Sequence, residues 1–512
     1  MGIWAIVMVM VINGMDKIMP SLREVMENTA PDEKIAILVH LSEKPNFEAI
    51  KNLSLKEQAE YIKNFCESSQ RDILNYLKNN FKGKFCDLNP YWIFNGFYVK
   101  AEKEVIEALS QREDVEYIIE DFIIKIEEVT PIDEPGILTP EWNITKVKAD
   151  SCWGAGYTGE GIIIGHMDTG VYTGHEALQG KWLSPYWYDA VNGQTNPYDD
   201  NNHGTHTMGT ILGGDGNGPF ANDIGVAPGA KFVTCKCFSS TGSGQASWIH
   251  TCFQKIYDWK TQNGVQIVAA SNSWGSTATT SLEFWQDCMN WKNIGIIPVF
   301  AVGGGGPNPG TANTPGNFPI VIAVGATDSG DNIASFSARG PAPDQNPWNN
   351  PEYWLRPDWN RTKPDISAPG INVTSSIPGG GYAGYNGTSF SCPHVTGAIA
   401  ILYQKNPNLT FTDVYNLLLD YADKPSQGVP YPNNNYGWGK LNCYQSLLHT
   451  PTPNMPNITL QSYDLQDAGG NGIWDPGETA YIRVTLYNSG IGATNVNATL
   501  RTTSQYVTIQ DS

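Results

Sequence analysis

The chain of 512 residues carries 32 Lys and Arg against 51 Asp and Glu, a formal net charge of −19. That charge argues against a nucleic-acid partner and for a protein kept dispersed by self-repulsion. The length allows more than one domain with a sizeable core, and 52 Gly, 33 Pro and 16 Trp fit a loop-rich, tightly packed enzyme better than a helical bundle or a disordered chain.

The chain opens with an unbroken apolar run, Ile3 to Ile12, too short to cross a bilayer but suited to the centre of a signal peptide. No Lys or Arg precedes it and no small-x-small cleavage site follows. A signal peptide is placed over residues 1–14, which makes the protein secreted or cell-surface, and no later segment reads as a membrane span.

Residues 30–126 alternate strand and helix signals and read as a small α+β domain. Strands are predicted at Ile35 to Leu41, around Gly96 to Lys100 and at Val115 to Ile119. A long helix is predicted over Leu55 to Leu77, with Ala59, Ile62, Phe65, Ile73 and Leu77 as its apolar stripe, and a short one near Lys103 to Ser110. The Pro/Glu-rich stretch 127–141 reads as a processing linker, 142–449 as the main domain, and the Pro-rich segment after Thr450 as a hinge. The tail, 457–512, shows short alternating strands at Ala480 to Leu486, Val496 to Arg501 and Tyr506 to Ile509, the pattern of an Ig-like β-domain too short to be complete. Within it Asp467, Asn471, Asp475 and Glu478 offer hard oxygen ligands for calcium, although the spacing is not that of an EF-hand and a polar hairpin loop has the same composition.

Nine cysteines contain no CxxC pair, which argues against zinc. Cys235 and Cys237 lie two apart in a strand-like run, hence on one face, and buried free thiols are the expected state.

Three segments of the main domain carry chemistry. The run Ile162 to Val171 reads as a buried strand ending in Asp168 before a Thr-Gly turn, and functional groups gather at the carboxyl ends of strands in an open α/β sheet. In Asn202 to Ile211, His203 sits where a loop enters a helix; His206 follows three residues later. No acidic residue completes a metal-binding H-E-x-x-H, so His203 reads as a base and His206 as a structural hydrogen-bonder. In Asn386 to Leu402, Ser389 follows a Gly-Thr turn and opens an apolar helix, with its own N–H at the positive helix end. The acidic loop Asp199 to Asn202 reads as a solvated surface segment.

The order Asp168, His203, Ser389, together with G-V-A-P-G-A (Gly225 to Ala230), S-N-S-W-G (Ser271 to Gly275), I-A-V-G-A-T-D (Ile322 to Asp328), S-F-S-A-R-G-P (Ser335 to Pro341) and K-P-D-I-S-A-P-G (Lys363 to Gly370), resembles the subtilisin-like serine proteases, the subtilase family. The pair N-G-F-Y-V-K-A and D-V-E-Y-I-I-E-D resembles the inhibitory propeptide of that family. The resemblance implies an α/β fold with a mostly parallel sheet flanked by helices, preceded by a propeptide domain and followed by a partial β-sandwich. It implies cleavage of protein or peptide substrates through an acyl-enzyme, with Ser389 as nucleophile, His203 as base and Asp168 orienting it. The propeptide would act as an intramolecular inhibitor, and no cofactor would be needed for the chemistry. Ser273, Trp274 and Gly275 would pair with the substrate and, with Ala301, Val302 and Gly303, line the pocket for the residue before the scissile bond. An apolar preference there is expected, because those two segments hold no acid or base.

One position departs from the family. Where subtilases carry A-A-G-N-x-G, whose asparagine donates to the oxyanion, this chain reads F-A-V-G-G-G-G-P (Phe300 to Pro307), and the aligned residue is Gly304. A slowed peptidase is one consequence; a pseudoprotease that binds peptides without cutting them is the other.

Overall fold

The computed structural model describes residues 17–126, 140–356, 358, 360–453, 458–467, 477 and 480–488. The expected signal peptide, the linker up to residue 139 and the expected strands at Val496 to Arg501 and Tyr506 to Ile509 lie outside the described residues.

The N-terminal domain runs α1 (Pro20–Asn28), β1 (Ile35–Leu41), α2 (Phe47–Ile50), α3 (Leu55–Asn80), β2 (Phe85–Tyr91), β3 (Gly96–Ala101), α4 (Lys103–Ser110), β4 (Val115–Glu120) and the short β5 (Ile123–Lys125). Its four-stranded sheet has the order β2-β3-β1-β4, with β1 antiparallel to both neighbours. Side chains alternate across a strand, so β1 serves two cores. Ile35, Ile37, Val39 and Leu41 face a core shared with Ile73 and Leu77 of α3 and Val105, Ile106 and Leu109 of α4. Leu38 packs instead with the larger domain, and His40 points the same way. Helix α3 starts at a capping box, Ser54 and Glu57 each accepting from the other's backbone N–H.

The larger domain begins with α5 (Trp142–Lys146) and α6 (Ala149–Gly154). It continues through β6 (Ile163–Asp168), β7 (Trp182–Asp189), α7 (His203–Leu212), β8 (Lys231–Lys236), β9 (Ser243–Gln245), α8 (Ala246–Thr261), β10 (Ile267–Asn272), α9 (Trp285–Asn293), β11 (Ile297–Ala301), β12 (Ile322–Thr327), β13 (Ile366–Pro369), β14 (Val373–Ile377), β15 (Gly381–Tyr385), α10 (Thr388–Lys405), α11 (Phe411–Asp420) and α12 (Cys443–His449). Seven strands form one parallel sheet of order β13-β12-β11-β10-β6-β8-β7. Both of its faces are covered, which is why its strands read as nearly continuous apolar runs. Helices α7, α10, α11 and α12 pack on one face; α8 and α9 pack on the other, the face against which the N-terminal domain docks. The doubly covered parallel sheet expected from the family resemblance is the observed architecture.

The last described strands, β16 (Ile458–Asp467) and β17 (Ala480–Asn488), form an antiparallel pair. All nine cysteines are free thiols and eight are buried, Cys86 being the exposed one. Among the described residues no helix is long and apolar enough to cross a membrane.

Candidate active site

Strands β11, β10 and β6 are neighbours and run parallel, so their carboxyl ends reach one edge of the sheet together. Asp168 is the last residue of β6, Ser273 follows β10, and Gly303 lies two residues beyond β11. Helices α7 and α10 open at the same edge, with His203 as the first residue of one and Ser389 as the second of the other.

The Asp168 carboxylate is fully buried, and its Oδ1 lies 2.7 Å from Nδ1 of His203. The same oxygen accepts from the Thr169 N–H at 2.7 Å, while Oδ2 accepts from the Thr207 hydroxyl at 3.3 Å. Burial alone would push the Asp168 carboxyl up; His203, His166 and the Thr169 N–H outweigh it and hold the group below the usual carboxylate range. With Nδ1 committed to Asp168, Nε2 of His203 is buried with no hydrogen-bond partner among the described residues. Its ring stands 5.5 Å, centre to centre, from that of Phe390, the residue after Ser389. The Ser389 hydroxyl donates to the Ser273 carbonyl at 3.0 Å, and the Ser273 hydroxyl donates back to the Ser389 carbonyl at 2.7 Å.

His206 is set apart from this chemistry. Its Nε2 bonds to the carbonyls of Val373 and Ala383, both at 3.0 Å, and burial pushes its pKa down to about 3, so it ties α7 to the β14–β15 hairpin as a neutral imidazole. The loop Asp199 to Asn202 corrects the solvated reading. Asp199 is buried, and its two oxygens accept from the hydroxyls of Thr169 and Thr205 and from the N–H groups of Asn201, Asn202 and Thr205. Asp200 pairs with buried Lys236, whose ammonium also donates to the Thr169 carbonyl at 2.6 Å. An acidic loop that meets this many donors is a brace, and it fixes the turn after Asp168 and the start of α7.

Ser273, Gly275, Ala301, Gly303 and Asn313 line a cleft together with Ser389. Trp274 contributes to the wall, but its ring is buried against Phe253, Phe284 and Phe300. Val302 turns away into a small apolar core with Ala312, Ala323 and Ala338, as alternation beyond a strand end dictates. Gly304 offers no side chain, and the N–H before it, on Gly303, donates to the Thr388 hydroxyl at 3.2 Å. Thr207 and Thr388 lie inside the segments of His203 and Ser389 but their residue type alone does not single them out, and Asn313 lies in none of the segments that carry chemistry. Asp467 ends β16, whereas Asn471, Asp475 and Glu478 lie outside the described residues. Among the described residues no group of three or more His, Cys, Asp or Glu side chains could hold a metal ion.

The N-terminal domain reaches this cleft through β5, which pairs antiparallel with β9 in the register Ile124 to Gly244; Ile126 N–H then bonds the Gly242 carbonyl at 2.8 Å. Lys125 and Ile126 line the cleft that contains Ser389. Three anchors fix the docking. Asp121 accepts from the N–H and hydroxyl of Ser247 at the start of α8, Tyr91 donates to the Ser247 carbonyl, and Gln254 accepts from the N–H groups of Trp92 and Ile93.

Comparison with known proteins agrees with this arrangement. Residues 159–439 match the subtilase family and residues 39–127 match peptidase inhibitor I9. Bacillopeptidase F of Bacillus subtilis (strain 168) is 33% identical over 426 residues, covering 75% of this chain and 28% of that protein, so the chain spans well under half of that relative's length. Subtilisin E of the same organism is 30% identical over 349 residues, covering 68% of this chain and 78% of that protein. An alkaline protease of Alkalihalobacillus alcalophilus is 32% identical over 346 residues, with 67% and 77% covered. With a doubly covered parallel sheet, a propeptide domain seated on it and a family match over more than half of its length, the chain belongs to the subtilase family of serine proteases, in the form that carries an I9 propeptide.

Proposed function

We propose that this protein is an exported serine endopeptidase that processes its own precursor and hydrolyses peptide bonds through an acyl-enzyme. The observation that carries the reading is the imidazole of His203, held by Asp168 on one nitrogen and with its other nitrogen unpartnered beside the Ser389 segment. In the reaction the Ser389 hydroxyl leaves the Ser273 carbonyl, gives its proton to Nε2 of His203 and attacks the scissile carbonyl. Asp168 stabilises the imidazolium that forms, which then protonates the leaving amine; water repeats the sequence to release the acyl group. Like other subtilases it needs no cofactor for this chemistry, and a polypeptide entering the cleft would extend along β9 as β5 does.

Gly304 removes the side-chain donor to the oxyanion and leaves the N–H of Ser389 at the start of α10. In a subtilisin, loss of such a side-chain donor costs about 10²–10³ in kcat. Against the many orders of magnitude by which enzymes exceed the uncatalysed rate, that predicts slow turnover. The second reading, a peptide-binding pseudoprotease, rests on Gly304 alone. Intact-mass analysis of the purified precursor over time, beside Ser389→Ala, decides between them. Cleavage within residues 127–141 in the parent only supports the peptidase, and an uncut parent matching its control for days supports the pseudoprotease.

A further inference from the structure

His166 is buried inside β6, two residues before Asp168 and therefore on the same face of the strand. Both of its ring nitrogens meet hydroxyls. Nδ1 lies 3.0 Å from Oγ1 of Thr234, its register partner on β8, and Nε2 lies 2.9 Å from Oγ1 of Thr207 on α7. The Thr207 hydroxyl has two further acceptors within reach, Oδ2 of Asp168 at 3.3 Å and the Gly204 carbonyl at 3.1 Å. Nε2 of His166 itself stands 3.7 Å from that same Oδ2. Burial, against the pull of Asp168, lowers the pKa of His166 to about 4, so the ring is neutral: one nitrogen donates and the other accepts.

The neighbouring carboxylate decides which. A proton on Nδ1 would make Nε2 an acceptor of the single Thr207 proton, and the buried Oδ2 would then face lone pairs with no donor among the described residues. A proton on Nε2 lets Thr234 donate to Nδ1, His166 donate to Thr207, and Thr207 donate to Asp168. Every bond in that row points its positive end toward the carboxylate, and each strengthens the next.

We infer that His166 is a positioning residue for Asp168, donating through Thr207 to Oδ2 so that the carboxylate stays ionised with Oδ1 turned to His203. The inference rests on the reading of Asp168, His203 and Ser389 as a working set and deepens it. Without the donor from His166, the Thr207 hydroxyl turns to the shorter bond with Gly204 in its own helix. Oδ2 then lacks a donor, the buried carboxylate attracts the imidazolium more strongly, and His203 stays protonated to a higher pH. No other charged or titratable group around the pair replaces this donor. Asp199 is itself an acceptor for Thr169 and Thr205, and Lys236 is taken by Asp200 and the Thr169 carbonyl. Burial keeps the Cys237 thiol protonated, and His206 is spent on two carbonyls.

The test follows the rate at which a fluorophosphonate labels Ser389 as a function of pH, a rate that tracks deprotonation of the base. It compares the parent with His166→Leu and His166→Gln. Leucine fills the space of the imidazole and removes both bonds; glutamine keeps an N–H for Thr207 and an oxygen for Thr234. His166→Leu should slow labelling at least about threefold more on the acid limb than on the plateau, while His166→Gln follows the profile of the parent. Profiles of one shape in all three proteins, with only the plateau or the melting temperature lowered, would make His166 a packing residue and overturn the inference. A glutamine variant that shifts as leucine does overturns it as well.

If the parent is not labelled at all, the peptidase reading fails instead, and His166 is then judged by a measurement that needs no activity. NMR of full-length Ser389→Ala with ¹⁵N-labelled histidine reads the ring protons at neutral pH, the His166 signal being the one missing from the same protein with His166→Gln. The expected state is a proton on Nε2 and none on Nδ1. A proton on Nδ1 alone overturns the inference, whatever the fate of the leucine variant.

Discussion

Nε2 of His40, on the first strand of the propeptide, lies 2.8 Å from Oε1 of Glu283 in the protease domain, and Nε2 of His250 bonds to the same oxygen at 2.9 Å. His250 reaches Asp287 with its other nitrogen at 2.8 Å. Burial works against the charge on His250, but Asp287 and Glu283 overcome it and lift its pKa to about 9. His40 goes the other way. Burial, with help from Lys44 and His250, outweighs the pull of Glu283 and lowers its pKa, while Tyr117 stacks on the ring at 4.1 Å and Phe94 covers it at 4.3 Å.

This predicts a propeptide interface that weakens with acid. Unfolding or undocking returns His40 to an ordinary value of about 6.5. Its neutral form is favoured in the docked state, so the contribution is complete above that value and is lost as pH falls from it toward the lower docked value. Thermal melting of full-length Ser389→Ala between pH 8 and 5, beside the same protein with His40→Gln, reads the effect. The His40 protein should lose stability more steeply below about pH 6.5; parallel slopes would remove His40 from the account.

A second prediction concerns Asp168. With asparagine there, the contact to Nδ1 of His203, now 2.7 Å, persists in length but favours the wrong tautomer. The expected loss is about 10⁴ in kcat with little change in KM or melting temperature. A drop of under tenfold in peptide turnover would show that His203 is not the base.

Gly304 supports a gain-of-function prediction. Within its glycine run the positive φ, +103°, belongs to Gly303, so an L side chain at Gly304 does not inherit that strain. Gly304→Asn should raise kcat by up to about 10²–10³ and leave KM nearly unchanged. An unchanged kcat would mean that another donor already serves the oxyanion.

These predictions differ in how far the sequence foretold them. Asp168, His203 and Ser389 each sit in a local motif at an element boundary, and boundaries follow from short-range chemistry. The strand at β1 was legible because a short, nearly continuous apolar run is what a strand buried on both faces requires. Edge strand β2 was not, because Asp87, Asn89 and Pro90 interrupt its pattern and its ladder shifts register between Cys86 and Asn89. His40 and Glu283 lie 243 residues apart, and Asn313 meets Gly303 across a loop; no periodicity records such meetings. The acidic loop was misread for the same reason: composition gives the charge of Asp199 but not the five donors aimed at it.

That loop carries the last prediction. Asp199 bonds Thr169, which follows Asp168, and Thr205, two residues into α7 from His203, so one carboxylate braces both sides of the Asp168–His203 contact. Asp199→Ala would leave buried N–H and hydroxyl donors unpaired, a loss of about 3 kcal/mol in denaturant unfolding. Activity should fall further than the change in folded population explains, because the turn after Asp168 and the first turn of α7 lose their common anchor. Asp199→Asn, which keeps the acceptor oxygen for Thr169 but replaces the one facing the Thr205 donors with an NH₂, should fall between the two. Equal stability of all three proteins would return the loop to the solvated reading.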